Sequence, residues 1–533
     1  MRKVIILTLV LLMGLTAASG FAARSGGTLN TMAPYGGDLF GLDLHKSTRY
    51  QDWLVGINIH RGLYKWDTEK NVPVPDLAES VSVSDDGLVF TYKLRPNIKF
   101  HNGRQLVADD IIWSYTRVAA MKPDSPQLRY IKSIKGVNAV NEGKAKTISG
   151  LKKLDDLTFE MTLEDPVDIK YYLWLPGMAI VPKEEVERLG DAFTTNPLGC
   201  GPFKFVKWVK GSEVVMEKFG DFYLEGRPYL DKVVYKIMGE AAPRDLAFKA
   251  KELDVTIVGA VNYPEYKADP EISKNMIEVA EMFTRLVGFN PDFKPFSDKR
   301  VRQAINHAIP ADLIIEKVLK GKAFPARGYL PTTSPAFNPE IKKYEFDLEK
   351  AKQLMKEAGY EKGFTVEQAI GTANKSWGTG IYEAALPYLK KIGIELKIQQ
   401  MEGAAMAERV RQADYQMFIW SLDSGPDPVE VMVRWKSDNP PAAGNYIKYN
   451  NPEFDKLLEM AEATRDKEKK LSLVRKAEEI FVEDAPLWFF NYNKAVLAHQ
   501  PWVHGLAPVA PEMMFQDMTN VWIDETSPRA NMK

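Results

Sequence analysis

Along this chain the apolar positions switch repeatedly between a period of two and a period near 3.6. Leu88, Phe90, Tyr92 and Leu94 alternate with Val89, Thr91 and Lys93, and they follow Val81, Val83 and the turn Asp85-Asp86-Gly87, so a hairpin is expected. Leu157, Phe159, Met161 and Leu163 alternate in the same way. Between these strands Ile111, Ile112, Tyr115, Val118 and Ala119 have the spacing of a helix over 109–120, and residues 61–182 read as a compact α+β unit. Past residue 182 the rigid turn Asn196-Pro197-Leu198-Gly199-Cys200-Gly201-Pro202 leads into strands near 204–208, 212–219 and 232–238, then a helix near 243–251. After Phe289, Val301, Ala304, Ile305 and Ala308 recur at i, i+3, i+4 and i+7, and Pro310 separates that helix from the next. Helices opening at Asp347 and over 382–391, 452–463 and 467–483 alternate with strands at 395–400, 415–420 and 487–490. That alternation predicts an α/β fold with a largely parallel, helix-covered sheet.

One stretch concentrates candidate chemistry. Tyr415-Gln-Met-Phe-Ile-Trp420 has the aromatic and β-branched content of a strand buried on both faces, and Gly425, Pro426 and Pro428 then break it. The strand therefore runs into an acidic turn. Asp423 and Asp427 fall where open α/β sheets place ligands, just past a strand's carboxyl end, with Trp420 as a flat apolar wall. A carboxylate there suits a ligand ammonium. Asp is also a turn former that bonds its own backbone, so capping is the competing role for both.

Composition narrows the function. The 533 residues carry 70 Lys plus Arg against 71 Asp plus Glu, and a net charge of -1 supplies no field for nucleic acid or an anionic membrane. A basic start, Arg2 and Lys3, precedes the apolar run from Val4 to Met13, which is too short to span a bilayer. It reads as a secretory signal peptide over 1–22, cleaved after Ala22. The single cysteine, Cys200, lies far from this leader, so neither an N-terminal lipid anchor nor an intramolecular disulfide is expected. A periplasmic location follows.

Several of these stretches, in one order along nearly the whole mature chain, resemble the family 5 extracellular solute-binding proteins, receptors of oligopeptide, dipeptide and nickel ATP-driven importers. They are Asp85-Asp86-Gly87-Leu88 through Leu94-Arg95-Pro96, Lys99-Phe100-His101-Asn102-Gly103 to Asp110, Pro295 through Ile305, Glu357-Ala358-Gly359-Tyr360, Asn451-Pro452-Glu453-Phe454-Asp455 and Pro501-Trp502-Val503-His504-Gly505. The resemblance implies a periplasmic binding protein type II-like fold, two lobes with a hinge and an extra inserted domain. Residues 24–60, 183–282 and 498–533 would form domain I, 61–182 domain II and 283–497 domain III, with the hinge near 282–289 and Leu497. It also implies that an Asp in a Trp-x-x-Asp pattern, shortly before Asp-Pro, holds a peptide's terminal amine. Trp420-Ser421-Leu422-Asp423 and Asp427-Pro428 are similar to that pattern, with one residue more between the acids. Dipeptide-type members pair the peptide carboxylate with an Arg ahead of the 395–400 strand. This chain has no Arg between Arg327 and Arg409, and only Lys375 offers a cation there, beside Trp377. The expected ligand is therefore a longer peptide, an amino-acid conjugate or a sugar.

Tyr35, Trp377 and Trp488, near predicted strand ends, are candidates to stack on a ligand alongside Trp420. Asp423 stands as the anchor, with Asp427 beside it. No His-Glu-x-x-His, Gly-x-Ser-x-Gly or Gly-x-x-x-x-Gly-Lys occurs, so no catalytic role is expected. His101 and His307 stand singly, and neither metal nor cofactor is expected. The reading is a monomeric receptor that captures a peptide or other amine-bearing solute and delivers it to an ABC transporter permease. An oligosaccharide or amino-acid conjugate on the same fold is the alternative. A periplasmic hydrolase or chaperone is a more distant one.

Overall fold

The computed structural model describes residues 23–33, 38–371 and 375–532, with 375 and 376 described by their backbone alone. The leader expected over 1–22, Tyr35 and the Lys375 side chain lie outside the described residues. The hairpin and strand of the 61–182 region form an antiparallel sheet in the order Leu151–Lys153, Thr158–Thr162, Val89–Leu94, Ala78–Val83. Phe90, Tyr92 and Leu94 point into its core, where Tyr92 and Phe159 stack at 5.0 Å, and helix Ala108–Ala120 covers them. Its neighbour is a four-stranded sheet, Thr28–Ala33, Lys232–Ile237, Glu213–Lys218 and Phe203–Val209. Arg117 grips Asp43 with two nitrogens at 2.9 and 2.6 Å and fixes the helix against the segment before it. Breaking such a buried pair costs about 3–5 kcal/mol, because one charge stays behind in the interior.

The Asn196–Pro202 turn is locked by backbone approach. Gly201 N–H donates to Ile59 O at 2.8 Å, and a Cβ at Gly199 would sit 2.2 Å from that same oxygen. Cys200 is buried within this contact, which pushes its thiol up to about 12, and its place is in the packing.

The largest sheet runs in the order Val255–Ile257, Leu487–His499, Met276–Phe289, Met417–Asp423, Phe364–Gly371, Ile394–Met401, with Ala323–Pro325 also paired to Leu487–His499. It is mixed, which corrects the expectation of a largely parallel sheet. Only Phe364–Gly371 pairs in parallel, with Ile394–Met401 and Met417–Asp423, while Met276–Phe289 runs antiparallel to both of its neighbours. Helix and strand alternation predicts parallel neighbours for local crossovers, and these long-range pairings lie outside its reach.

Met276–Phe289 and Leu487–His499 pass between two cores. Val279, Met282 and Ala495–Ala498 pack into the core that includes the four-stranded sheet, whereas Leu286 and Phe489 pack into another, with Trp435 and Phe481. Between them the ladder slips. Ala280 pairs with Lys494 and Thr284 with Tyr492, so Glu281, Met282 and Phe283 face Asn493 alone. An extra-residue bulge bends and twists the strand that carries it.

The strand expected at 415–420 occupies Met417–Asp423. It runs on because Phe283 supplies a pairing partner as far as Asp423, and the chain turns only at Gly425. There φ is +36°, and a Cβ would meet Val431 at 2.6 Å. The carbonyl of Asp423 accepts a hydrogen bond from Tyr329 Oη at 2.7 Å, and Thr284 Oγ1 donates to Tyr329 O at 2.7 Å. Behind Tyr329, Leu330 N–H donates to Glu478 Oε1 at 2.8 Å.

Glu478 is fully buried in helix Lys467–Glu483, and burial pushes its carboxyl up to about 8. The folded chain thus keeps a proton that the unfolded chain releases near its ordinary value of about 4.3. From there to about pH 8 this group makes stability fall as pH rises. Glu478→Gln keeps an acceptor for Leu330 and has no proton to lose. Its melting temperature relative to wild type is expected to climb between pH 6 and pH 9, read by thermal denaturation in matched buffers. A pH-independent difference would show that Glu478 is ionised in the fold.

Candidate ligand-binding site

Asp423 closes its strand with an exposed carboxylate. Oδ1 accepts the Gly425 N–H at 2.7 Å, and Oδ2 has no hydrogen-bond partner among the described residues. Solvent reaches the group, yet the surrounding walls desolvate it enough to raise its pKa. The Gly425 N–H and the charges of Arg434 and Arg129 act the other way. Arg434 and Tyr329 hold the backbone beneath it, through Arg434 Nη1 to Tyr329 Oη at 3.2 Å.

Asp427 takes the capping role. Its Oδ1 accepts the Val429 N–H at 2.9 Å at the start of helix Pro428–Val433. Burial raises its carboxyl, and the negative charge of Asp168 adds to this. One turn on, Glu430 is pushed up to about 7, first by burial and then by Asp427 and Asp423. Three carboxyls therefore share one short turn. A positive charge brought among them relieves both their desolvation and their mutual repulsion.

The opposite wall comes from the 61–182 region. Tyr172 hydrogen-bonds Glu430, Tyr171 lies in the field of Asp427 and Asp168, and Arg129 reaches the field of Asp423 with its guanidinium 4.5 Å from the centre of the Tyr130 ring. Tyr50, packed edge-on to Phe515 at 5.7 Å, stands between the walls and also feels Asp423.

The aromatic candidates divide. Trp420 points to the sheet face opposite Asp423, by strand alternation, and stacks on Tyr446 at 5.8 Å, half-buried. Trp377 is half-buried on helix Lys375–Lys391, with the Arg285 guanidinium 4.5 Å from its ring centre. That helix begins seven residues earlier than its apolar periodicity predicts, which brings Trp377 onto it. Trp488 is 3 % exposed and packs with Phe490 in the core, paired with Val287 four positions along from Phe283. The second crossing strand begins in the core at this residue, so Trp488 stacks on protein side chains there.

Sequence reasoning missed Arg285, Glu430, Tyr172 and Arg129. Glu430 carried a signal, an acid one helical turn after Asp427. Arg285 carried one too, a lone cation inside the apolar strand Met282 to Phe289. Arg129 and Tyr172 carried none, since only the approach of the 61–182 region sets them opposite the turn. A cavity of about 330 Å³ is lined by His60, Arg61, Trp66, Trp174 and Phe515 among others, and not by the acidic turn. Its Arg61 is already balanced by Asp517 at 2.7 Å and Asp76 at 3.7 Å, so it offers no free charge. Among the described residues no three His, Cys, Asp or Glu side chains could hold a metal, and no helix is long and apolar enough to cross a membrane.

Residues 72–442 match the bacterial extracellular solute-binding proteins, family 5 middle region, which is well over half of the chain. The chain belongs to this family. A dipeptide-binding protein of Escherichia coli is 30% identical over 434 residues, 78% of this chain and 79% of that protein. Heme-binding protein A of Haemophilus influenzae is 29% identical over 460 residues, covering 82% and 80%. Among solved structures, the periplasmic binding protein DppA of Helicobacter pylori in complex with the peptide STSA superposes with a TM-score of 0.72 at 26% identity, covering 94% of this chain and 99% of that one. The fold is that of the multidomain type II periplasmic binding proteins, and the family 5 receptor is a substrate-binding component of ABC import.

The cap at Asp427 can be separated from its charge. Asp427→Ser keeps a capping oxygen and should change stability by no more than about 0.5 kcal/mol, whereas Asp427→Ala should cost about 1 kcal/mol. Urea denaturation measures both. Equal losses would rule out the cap as this residue's structural task.

Proposed function

We propose that this receptor captures a peptide or other amine-bearing solute in the cleft between the acidic turn and the 128–130 and 168–172 wall, with Asp423 receiving the ammonium group. The observation that carries the reading is the free, solvent-reached Oδ2 of Asp423 at the end of a strand whose backbone is pinned by Tyr329. The comparisons support it, since a relative named for dipeptides and a structural neighbour holding a tetrapeptide share this fold. A charge-assisted bond of this kind contributes about 1.5–3 kcal/mol, out of about 8 kcal/mol for micromolar binding. Asp423 anchors the ligand while other contacts add the rest.

In this proposal residues 24–60, 183–282 and 498–533 make one lobe, 61–182 a domain inserted in it, and 283–497 the second lobe. Ile180 N–H donates to Arg61 O at 2.8 Å, which joins the two ends of the 61–182 segment as an insertion requires. The bulge at Glu281–Phe283 is the hinge, and ligand favours closure through contacts that both walls make only when near each other. The mature chain acts as a periplasmic monomer after loss of a leader over 1–22 and hands its cargo to the permease.

Asp423→Asn should weaken an amine-bearing ligand at least tenfold by titration calorimetry and leave the melting temperature near that of wild type; unchanged affinity would end the anchor role. Glu430, pushed up to about 7 by burial and its acidic neighbours, must lose its proton as a cation arrives. Affinity is therefore expected to fall from pH 8 to pH 6, with protons released on binding. Identical binding enthalpies in buffers of different ionisation heat would contradict that release.

A further inference from the structure

Arg285 is the one cation on the crossing strands whose charge the structure leaves unanswered among the described residues. It makes no hydrogen bond and no ion pair, and its Nε is buried without a partner. Its neighbours elsewhere are satisfied: Lys494 Nζ donates to Gly321 O at 3.0 Å and lies 3.6 Å from Glu278, and Lys322 Nζ donates to Lys494 O at 2.8 Å. Glu281 is the only carboxylate that Arg285 feels, and that acid is already engaged by Asn493 and by the Met513 N–H at 3.3 Å. Leaving a guanidinium partly desolvated and unpaired is unfavourable unless something else completes it.

Its position says what would complete it. In the ladder Arg285 stands level with Ser421 on one side and Asn491 on the other, two residues from Phe283, which pairs with Asp423. Strand alternation puts Arg285, Ser421 and Asp423 on the same face. Asn491 is fully buried and its Oδ1 is also without a partner among the described residues. The Trp377 ring backs the guanidinium at 4.5 Å, and no hydrogen bond is made by any of its donors among the described residues. Arg285 is only part-buried, so a ligand can reach it.

We propose that Arg285, backed by Trp377, is the subsite for the anionic end of the ligand whose amine sits at Asp423. The inference rests on the receptor reading above and deepens it, because it makes the ligand a short zwitterion. Two strand residues separate the acidic and basic positions, about 7 Å along the sheet, and the reach of the Arg side chain extends this. A peptide spans about 3.3–3.6 Å per residue, so two to three residues fit with a free carboxylate. A planar fork of donors suits a carboxylate, which can accept from two of them at once. The loop before the 395–400 strand lacks an Arg, and the crossing strand supplies the cation from a different direction.

The test uses the full-length mature protein with four probes measured by titration calorimetry: mixed-sequence libraries of free dipeptides and tripeptides, and the same two libraries as C-terminal amides. Wild type is expected to prefer the free acids at least tenfold. Arg285→Gln should erase that preference by weakening the acids and leaving the amides unchanged, and without ligand it should melt no lower than wild type. Arg285→Lys should restore part of the preference. Asp423→Asn should weaken acids and amides alike, which keeps failure of the anchor distinct from failure of this subsite. Wild type binding acids and amides equally would overturn the proposal while leaving the receptor reading intact. Loss of both classes in Arg285→Gln together with a lower melting temperature would assign Arg285 to the hinge, and wild type binding none of the four libraries would remove the short zwitterion as ligand.

Discussion

Three residues, Glu281, Met282 and Phe283, stand opposite a single partner, Asn493, and the cleft depends on how the chain handles that mismatch. A bulge leaves backbone groups without ladder partners, and here other segments take them. Met282 N–H donates to Ala510 O at 3.0 Å, and Met282 O accepts from Ser424 N–H at 2.9 Å. The slip in one strand thus ties the 498–533 segment to the acidic turn. On either side of it Val279 and Leu497 pack in one core and Leu286 and Phe489 in another, and the ladder shifts once more between Arg285 and Leu286. An irregular stretch between two packed cores is what the proposed hinge requires.

Charge is distributed around this junction against the grain of burial. Asp423, Asp427 and Glu430 are all raised by desolvation, and Glu281 is raised beside them. Arg285 is depressed to about 10 and Lys322 to about 8 by the same cause. Neither sign is fully neutralised by the other, because strand register holds them apart. A site left in that state binds an oppositely charged group with less desolvation still to overcome, since the protein met that cost on folding.

The polar scaffold behind the site is less exposed to solvent and better satisfied. Tyr329 joins Thr284, Asp423, Arg434 and, through Leu330, Glu478, so one buried tyrosine links the crossing strand, the acidic turn and helix Lys467–Glu483. Its ring is edge-on to Trp435 at 5.5 Å. Rigid support of this kind lets Asp423 carry an open oxygen without the turn collapsing onto it.

Local periodicity and turn chemistry were enough to determine the hairpin at 78–94, the helix at 108–120, the helices after Asp298 and Asp347, and an acidic turn at 423–427, because each depends on neighbours within a few residues. The family signatures read from those stretches fixed the fold class for the same reason, as ordered local patterns. Strand direction in the large sheet, the extension of the 415–420 strand to Asp423 and the burial of Trp488 were decided by partners as much as 244 residues away. So was the pairing of Arg285 with Trp377. Alternation can assign a side chain to a face, but only the packed strands and helices determine what that face meets.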